Sequence, residues 1–418
     1  MTFVQKAVIG SKPVTERKNF IWNMIGSTLF AAVSMCLSFV VIRVMGENLG
    51  GVFSIAITIS QMMQFIAYYE TRTFQVTDVN SKYQFGEYKA AKLLLALFMI
   101  AASVIYIWVR EGSFADKALV ILLMCVYRMI DGYADLYEGS FQKDGRLDLT
   151  GKSQAFRTVL SAGVMVIALC LTKQLVLSIV LAIAAAFAGL FLFDIHIMRL
   201  FHKLTPLFHK EKVWGILKEC FPLFLGSFLW TYILSAGRIA IDGNMASNFQ
   251  SYYQMLFLPV NIVNLCATFV MKPLLPRLAE SYSRKEWKEF RGLVGKITAV
   301  IAGFTVLCMV LAFFLGIPVL SLLSGCDLQE YRGILVFLML AGGINSLAYF
   351  MYYILTVMRN NKGVFTGYVT AAVLTVVISG QMVQRSGIAG AAGSFFITVL
   401  YLMLIFLAFI AVELKKQK

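Results

Sequence analysis

Four ionisable side chains occur at helical spacing within a stretch, 118–157, that begins as an apolar run long enough to enter a bilayer. They are Arg128, Asp131, Asp135 and Glu138. At about 100° per helical residue, the four side chains fall within about 80° of one another and form a single charged stripe. A charge at membrane depth is costly unless it faces protein or a water-filled cavity, so the stripe is a functional-site hypothesis.

The alternative interpretation is a structural cluster whose charges neutralise one another. Three acids against one arginine leave charge unpaired, which favours a functional role. A carboxylate that exchanges a proton or binds sodium as a transport cavity changes sides can supply energy for transport. Asp131 and Asp135, together with Glu138, are therefore the candidates for coupling to a Na⁺ or H⁺ gradient.

The elements that must position this stripe are membrane helices. The chain has 418 residues, of which 59% are hydrophobic and 14% are charged, whereas a typical soluble domain has about 25% charged residues. Its mean hydropathy is +0.78. Apolar runs of about 17–25 residues, the length that crosses ~30 Å of hydrocarbon as a helix, recur along the whole sequence. These features predict an all-α integral membrane protein with about twelve transmembrane helices.

The predicted spans divide evenly between the two halves of the chain. Those of the first half are Phe20–Val44, Gly51–Tyr69, Leu93–Val109, Ala118–Ser140, Thr158–Leu171 and Val176–Leu200. Those of the second half are Phe221–Ala240, Tyr253–Val270, Ile297–Leu315, Ile334–Met358, Val364–Val383 and Ile388–Val412.

Basic residues test this map, because cytoplasmic loops collect Lys and Arg. With the N-terminus inside, all but eight of the 37 Lys and Arg fall in the two terminal tails or the even-numbered loops. The exceptions are Arg43, Arg110, Lys117, Arg128, Lys173, Arg238, Arg332 and Arg385. The net charge of +15 is then mainly an orientation signal with some attraction to anionic membrane lipid, and both termini are predicted to be cytoplasmic. No nucleic-acid ligand is indicated, because the basic residues are dispersed over separate short loops.

An internal similarity predicts a duplicated architecture. The segment Met24–Phe30 matches Phe224–Trp230 at an offset of 200, through a shared Gly-Ser pair. The same offset carries Arg72, at the inner end of the second span, onto Lys272, at the inner end of the eighth. Both halves run from inside to inside, so a parallel duplication of six helices is expected. The predicted domains are an N-terminal bundle at 1–200, a basic cytoplasmic linker at 201–220 and a C-terminal bundle at 221–418.

Cationic side chains in the spans suggest a phosphate ligand. Arg and Lys hold phosphate or pyrophosphate by charge-assisted hydrogen bonds, Arg as a fork and Lys as a point charge. Arg43, Arg128 and Arg238 are the best placed for this role. Arg72 and Lys272 lie at the predicted inner mouth, where they are equally well explained as inside-positive anchors. Arg238 is one helical turn from Asp242, so mutual neutralisation is an open alternative.

Nothing in the sequence predicts a cofactor or a metal. His196, His202 and His209 lack the spacing of a zinc helix. The segment Gly145–Ser153 approaches a phosphate-binding P-loop, but it has five residues between its glycines where the motif has four, and no strand precedes it. We therefore interpret 143–157 as an inside loop. Without a nucleotide-binding motif, transport by this protein is expected to depend on an ion gradient or on substrate supply.

Short segments with polar or basic residues recur from one end of the chain to the other. They are Asn23–Ser27, Arg43–Gly46, Tyr69–Val79, Tyr127–Arg128, Gln142–Asp148, Arg238–Asp242, Leu258–Pro259 and Lys272–Leu275. In these segments the chain resembles the bacterial polysaccharide repeat-unit flippases of the multidrug/oligosaccharidyl-lipid/polysaccharide (MOP) exporter superfamily, and the similarity extends over nearly the whole chain.

The resemblance implies two pseudo-symmetric six-helix bundles around a central V-shaped cavity that works by alternating access. The implied cargo is an undecaprenyl-pyrophosphate-linked oligosaccharide, moved from the cytoplasmic to the outer leaflet of the bacterial cytoplasmic membrane for cell-surface polysaccharide biosynthesis. Other polysaccharide assembly proteins are candidate partners. Family members place cationic residues in the cavity, in agreement with Arg43, Arg128 and Arg238. Related lipid II flippases usually carry two further helices, which argues against the peptidoglycan precursor as cargo.

Two other functions are compatible with parts of the sequence. A cation-coupled multidrug exporter of the same superfamily is expected to have an acid-dominated cavity, and the arginines argue against it. A membrane-embedded polysaccharide polymerase or glycosyltransferase needs a large outer loop with catalytic groups, and the predicted outer loops are short. The protein is therefore predicted to be a transporter and not an enzyme.

Overall fold

The structure is a computed structural model that describes residues 9, 14–78, 82–111, 116–271 and 274–416. Within these residues the chain is almost entirely helical and has no β-strand. It divides into two compact units, Met1–Phe228 and Leu229–Lys418. The division falls inside a single long helix, and the boundaries predicted at 200 and 220 remain a prediction.

The helices of the first unit are α1 to α6, together with the first half of α7. Their bounds are Glu16–Tyr68 for α1, Thr71–Thr77 for α2, Phe85–Glu111 for α3, Asp116–Lys143 for α4, Leu147–Thr172 for α5, Leu175–Met198 for α6 and Lys210–Asn244 for α7. Within α6, residues Leu190–Ile195 form a π-helical turn.

The second unit contains the rest of α7 and five further helices. Their bounds are Ser247–Met271 for α8, Leu275–Ser283 for α9, Trp287–Ser324 for α10, Arg332–Val357 for α11 and Asn361–Lys416 for α12. A buried apolar core of this unit includes Met271, Ile297, Phe350 and Phe406. The short helices α2 and α9 each follow the second predicted span of their half.

In α1 and α12, a glycine separates two predicted spans that the structure joins in one long helix. Gly46 in α1 has φ 81° and ψ 176°, and Gly387 in α12 has φ 56° and ψ −131°. Both conformations lie outside the helical region, and glycine reaches positive φ without a steric cost. Each long helix is therefore broken at one residue into two segments, at the positions where the sequence predicts the change from one span to the next.

Membrane-compatible helices account for the predicted spans. Eight stretches in the described part of the chain are long and apolar enough to cross a bilayer, and α1 and α12 are long enough to cross twice. The helices α4 and α8 occupy the positions of the predicted fourth and eighth spans. The described residues thus accommodate about twelve crossings, and the chain is a multi-pass membrane protein.

The prediction of an inside loop at 143–157 is wrong. The chain turns at Gly145, whose φ is 73°, and α5 begins at Leu147. The sequence suggested a loop because its charges interrupt the apolar run. In the structure Asp148 pairs with Arg146 at 2.9 Å and with Lys152 at 3.2 Å, so a helix that carries these charges can pack at the end of the bundle.

Close packing against α1 explains one glycine of this segment. A Cβ atom added at Gly151 would overlap the backbone of Trp22 and Asn23, and one added at Gly26 would overlap the backbone of Gly151. The two glycines therefore let α1 and α5 approach at backbone contact, as small residues do between membrane helices. Gly151 lies in a helix and has no role in a phosphate-binding loop.

Candidate functional site

The charged stripe predicted for the fourth span lies on α4 and faces the interior of the first unit. Arg128, Asp131, Asp135 and Glu138 are all less than 10% exposed. Burial of charged groups requires partners, because an isolated ion pays a large desolvation cost. The partners of these four side chains come from α1, α2, α3 and α5.

Arg157 of α5 is the centre of the cluster. Its Nε donates to Asp131 at 3.1 Å, and its two terminal nitrogens donate to Glu138 and Asp194, each at 2.7 Å. Asp194 lies in the π-helical turn of α6 and also accepts a hydrogen bond from Ser153. The guanidinium is 1% exposed. One side chain thus joins α4, α5 and α6 through three carboxylates.

A second set of contacts ties α2 and α3 to the same stripe. Lys92 of α3 is 1% exposed and donates to Asp135 at 2.9 Å. Arg72 of α2 donates to Glu138 at 2.9 Å, to Asp135 at 3.4 Å and to the side-chain oxygen of Gln142. The side chain of Arg72 is 27% exposed. Glu138 therefore lies between two guanidinium groups.

Arg128 has weaker acidic contact than the other cations. It donates to the hydroxyl of Ser34 at 3.0 Å, and its nearest carboxylate oxygen, on Asp131, is 3.6 Å away. The guanidinium lies over the ring of Phe30, with its central carbon 5.2 Å from the ring centroid. Its buried Nε has no hydrogen-bond partner. Arg128 consequently retains one unused donor inside the bundle.

The cluster as a whole is balanced. Its cations are Arg72, Lys92, Arg128 and Arg157, and its anions are Asp131, Asp135, Glu138 and Asp194. The sequence-based balance of three acids against one arginine is wrong, since it considered α4 alone. The geometry corresponds to the mutually neutralised cluster that the sequence left open. Ion coupling through Asp131, Asp135 and Glu138 stays a prediction.

Sequence reasoning missed three members of the cluster. Lys92 and Arg157 were assigned to inside loops because they lie just before the predicted third and fifth spans. Asp194 was not among the polar residues singled out, although it stands alone in an apolar run. An acid in such a run is itself the signal that could have identified it.

Arg238 of α7 has a different environment, in the second unit. It is 7% exposed, donates to Gln254 and to the carbonyl oxygen of Leu234, each at 3.1 Å, and lies 4.6 Å from the ring centroid of Phe257. Its Nε has no partner. Within the described part of the chain, Arg238 contacts Gln254, Leu234 and Phe257, and none of these contacts is the predicted ion pair with Asp242. A buried guanidinium thus remains without a compensating carboxylate.

Around α11, the second unit has neutral polar and aromatic groups. Asn264 accepts hydrogen bonds from Asn345 at 2.9 Å and from Ser346 at 2.7 Å. Trp230 stacks on Tyr349, with ring centroids 5.9 Å apart and planes at 15°. Flat aromatic faces of this kind can pack against apolar sugar faces.

The other two predicted cationic residues are Arg43 and Lys272. Arg43 lies on α1, three residues before Gly46, and is exposed. Lys272 lies outside the described residues. Among the residues that are described, no group of three or more His, Cys, Asp and Glu is arranged to hold a metal ion.

Comparisons with known proteins identify the fold. No protein-family model matches the chain. An inward closed structure of the lipid II flippase MurJ is similar with a TM-score of 0.74 at 13% identity, over 93% of this chain and 87% of that one. An inward-facing structure of a multidrug resistance MATE family transporter of the MOP superfamily is similar with a TM-score of 0.66 at 11% identity, over 99% of both chains.

One curated relative matches in sequence. The capsular polysaccharide biosynthesis protein CapF of Staphylococcus aureus is 22% identical over 325 residues, which cover 77% of this chain and 80% of that protein. The chain has the two-lobe fold of the MOP-superfamily transporters, and the predicted all-α membrane fold class is confirmed.

Proposed function

We propose that the protein is a flippase that moves an undecaprenyl-pyrophosphate-linked oligosaccharide from the cytoplasmic to the outer leaflet by alternating access. The observation that carries this proposal is Arg238. A buried guanidinium without a carboxylate partner is destabilising by itself, and an anionic ligand would complete its coordination. Its partner-free Nε leaves a donor for a phosphate oxygen.

The fold is compatible with such a cargo. The lipid II flippase MurJ has the same fold, and the relative from Staphylococcus aureus is a capsular polysaccharide biosynthesis protein. On this basis we assign the cargo to cell-surface polysaccharide biosynthesis and the protein to the bacterial cytoplasmic membrane, with both termini inside.

The remaining cationic candidates differ in how they could reach a phosphate. Arg128 keeps a free Nε and only a 3.6 Å contact to Asp131, so it can bind phosphate with little loss. Arg72 is held by Glu138 at 2.9 Å, so it must exchange a carboxylate for the ligand. Arg43 is exposed on α1.

A multidrug exporter remains the rival function, since MATE transporters have the same fold. An organic cation needs an available carboxylate. Asp131, Asp135 and Glu138 all contact guanidinium or ammonium groups within 3.1 Å. This pairing favours an anionic cargo over a cationic one.

The test is leaflet transfer in proteoliposomes. The purified protein should transfer a lipid-linked oligosaccharide to the opposite leaflet faster than protein-free vesicles, and it should not concentrate an organic cation under a Na⁺ or H⁺ gradient. Arg43→Ala and Arg128→Ala should each slow transfer. Cation accumulation without lipid transfer would establish the rival function, and unchanged transfer in both variants would remove these two residues from the site.

A further inference from the structure

An apolar groove of about 360 Å³ lies on the first unit between α3 and α7, beside the end of α1. From α3 it is lined by Leu94, Leu95 and Phe98, from α7 by Trp214, Leu217, Lys218 and Phe221, and from the α1 end by Tyr69. Positions 214, 217, 218 and 221 recur at the spacing of one helix face. The α7 face that borders the groove is thus apolar apart from one lysine.

The groove lies at the level of one membrane leaflet. Its lining residues on α3 and α7 lie about one to four turns after the N-termini of these helices, which is about 6–20 Å at 1.5 Å per residue. The charge pattern predicts that both of these ends face the cytoplasm. Phe98 is 57% exposed and Trp214 is 67% exposed on this surface, so the groove opens toward lipid of the inner leaflet.

Lys218 is the cationic group of the groove. The side chain is exposed and has no hydrogen-bond or ion-pair partner among the described residues. Its neighbour Glu219 does not neutralise it, because Glu219 binds Lys82 and accepts from Tyr83 at 3.0 Å. That hydrogen bond to Glu219 raises the pKa of Lys82. Lys218 is therefore available to a phosphate that lies at the lipid surface.

The groove borders the corner between α1 and α2, a short distance along the chain from the charged cluster. Tyr69 and Glu70 both have positive φ, 45° and 53°, a strained conformation for residues with a Cβ. The ring of Tyr69 stacks on Phe224 of α7 at 4.4 Å, and Glu70 accepts a hydrogen bond from Ser227 of α7. Arg72, which binds Glu138, follows two residues later.

We propose that this groove holds the polyprenyl chain of the lipid-linked cargo, with Lys218 on its phosphate. The assignment rests on the proposed function. A furrow between two neighbouring helices, whose axes are about 8–10 Å apart, accommodates one hydrocarbon chain, and a polyprenyl lipid has one chain whereas a phospholipid has two. A polyprenyl chain in the groove would contact Tyr69, three residues before Arg72 in the chain.

Trp214 provides a reporter inside the groove. A full-length variant that keeps only this tryptophan, with Trp22, Trp108, Trp230 and Trp287 changed to Phe, is reconstituted in vesicles of phospholipid with brominated chains, which quench tryptophan fluorescence. Unbrominated undecaprenyl phosphate is then added at up to a few mole per cent. A matched variant keeps only Trp108, which lies on the lipid-facing surface near the other end of α3.

The groove assignment predicts recovery of Trp214 fluorescence and no recovery at Trp108. Lys218→Ala should raise the lipid fraction needed for half recovery about fivefold, the effect of about 1 kcal/mol per basic residue near a charged lipid. For undecaprenol, which lacks the phosphate, Lys218→Ala should leave the lipid fraction needed for half recovery unchanged. The control Lys288→Ala, in the second unit, should leave this fraction unchanged for either lipid.

Absence of recovery at Trp214, equal recovery at Trp108, or recovery independent of both the phosphate and Lys218 would overturn the groove assignment, whatever the leaflet-transfer assay shows. Recovery with the predicted dependence in a protein that transfers no lipid-linked oligosaccharide would uphold the groove as a polyprenyl phosphate site and contradict the proposed function instead.

Discussion

Arg157 and Arg238 are both buried guanidinium groups, but their surroundings differ. Arg157 contacts three carboxylates within 3.1 Å, whereas Arg238 has an amide, a backbone carbonyl and an aromatic ring. Removing one partner of a buried ion pair leaves the other charge uncompensated. Arg157 is therefore assigned to holding the first unit together, and Arg238 to binding a ligand.

Arg157→Ala should destabilise the protein by about 3–5 kcal/mol, because Asp131, Glu138 and Asp194 would lose a shared buried partner. The measurement is the thermal unfolding midpoint of the detergent-solubilised protein. Arg284→Ala is the matched control, since Arg284 pairs with Glu280 on the surface, where both side chains are more than half exposed. An unfolding midpoint equal to that of the control would show that the cluster does not depend on Arg157.

The sequence identified the α4 stripe because its four residues share one helix and their spacing is visible locally. Their partners were not identified as such, since Lys92, Arg157 and Asp194 lie on three other helices and meet α4 only through packing. Arg238 was identified from its position in an apolar run. Its lack of a carboxylate could not be predicted, because Asp242 at a distance of four residues offered a reasonable local partner.

At the scale of elements, α5 shows why the span boundaries were difficult to predict. Hydropathy placed its start at Thr158, and the helix starts at Leu147. The first three turns contain Asp148, Lys152 and Arg157, which lower hydropathy but are satisfied by partners inside the unit. The positions of the breaks at Gly46 and Gly387 were predictable from the ends of the apolar runs. The sequence did not predict that each break would consist of one non-helical glycine.

Gly151→Ala should destabilise the packing of α5 on α1 by about 1–3 kcal/mol, the cost of overpacking a well-filled interface. The new Cβ would overlap the backbone of Trp22, which cannot move as a flexible side chain can. Gly163→Ala in the same helix meets no atom within 4 Å and should stabilise by about 0.5–1 kcal/mol. Thermal unfolding midpoints that move in the same direction for both variants would contradict the close crossing.

At the scale of the whole molecule, the all-α membrane fold class and its spans were predicted from two long-range regularities, the recurrence of apolar runs and the alternation of basic loops. Both follow from the bilayer, which imposes helix length and charge placement on any chain that crosses it. The cargo is not determined in the same way. Proteins with this fold include a lipid II flippase and multidrug transporters, so the fold alone does not determine the cargo.

The predicted orientation can be tested by labelling single cysteines in a variant without the seven native ones. Ser283→Cys lies at the C-terminal end of α9 and should react with a membrane-impermeant maleimide only in inside-out vesicles. Asp327→Cys lies in the exposed turn after α10 and should react only in right-side-out vesicles. The opposite pattern would reverse the topology and place the groove between α3 and α7 in the outer leaflet.

Arg238 is the residue proposed to bind the pyrophosphate of a lipid-linked oligosaccharide. The most direct test is the rate of leaflet transfer in proteoliposomes for the wild-type protein, Arg238→Met and the surface control Arg284→Ala. Arg238→Met should reduce transfer at least tenfold, equivalent to about 1.4 kcal/mol, while its unfolding midpoint stays equal or rises because a buried unpaired charge is removed. Transfer at the wild-type rate by Arg238→Met would contradict the claim.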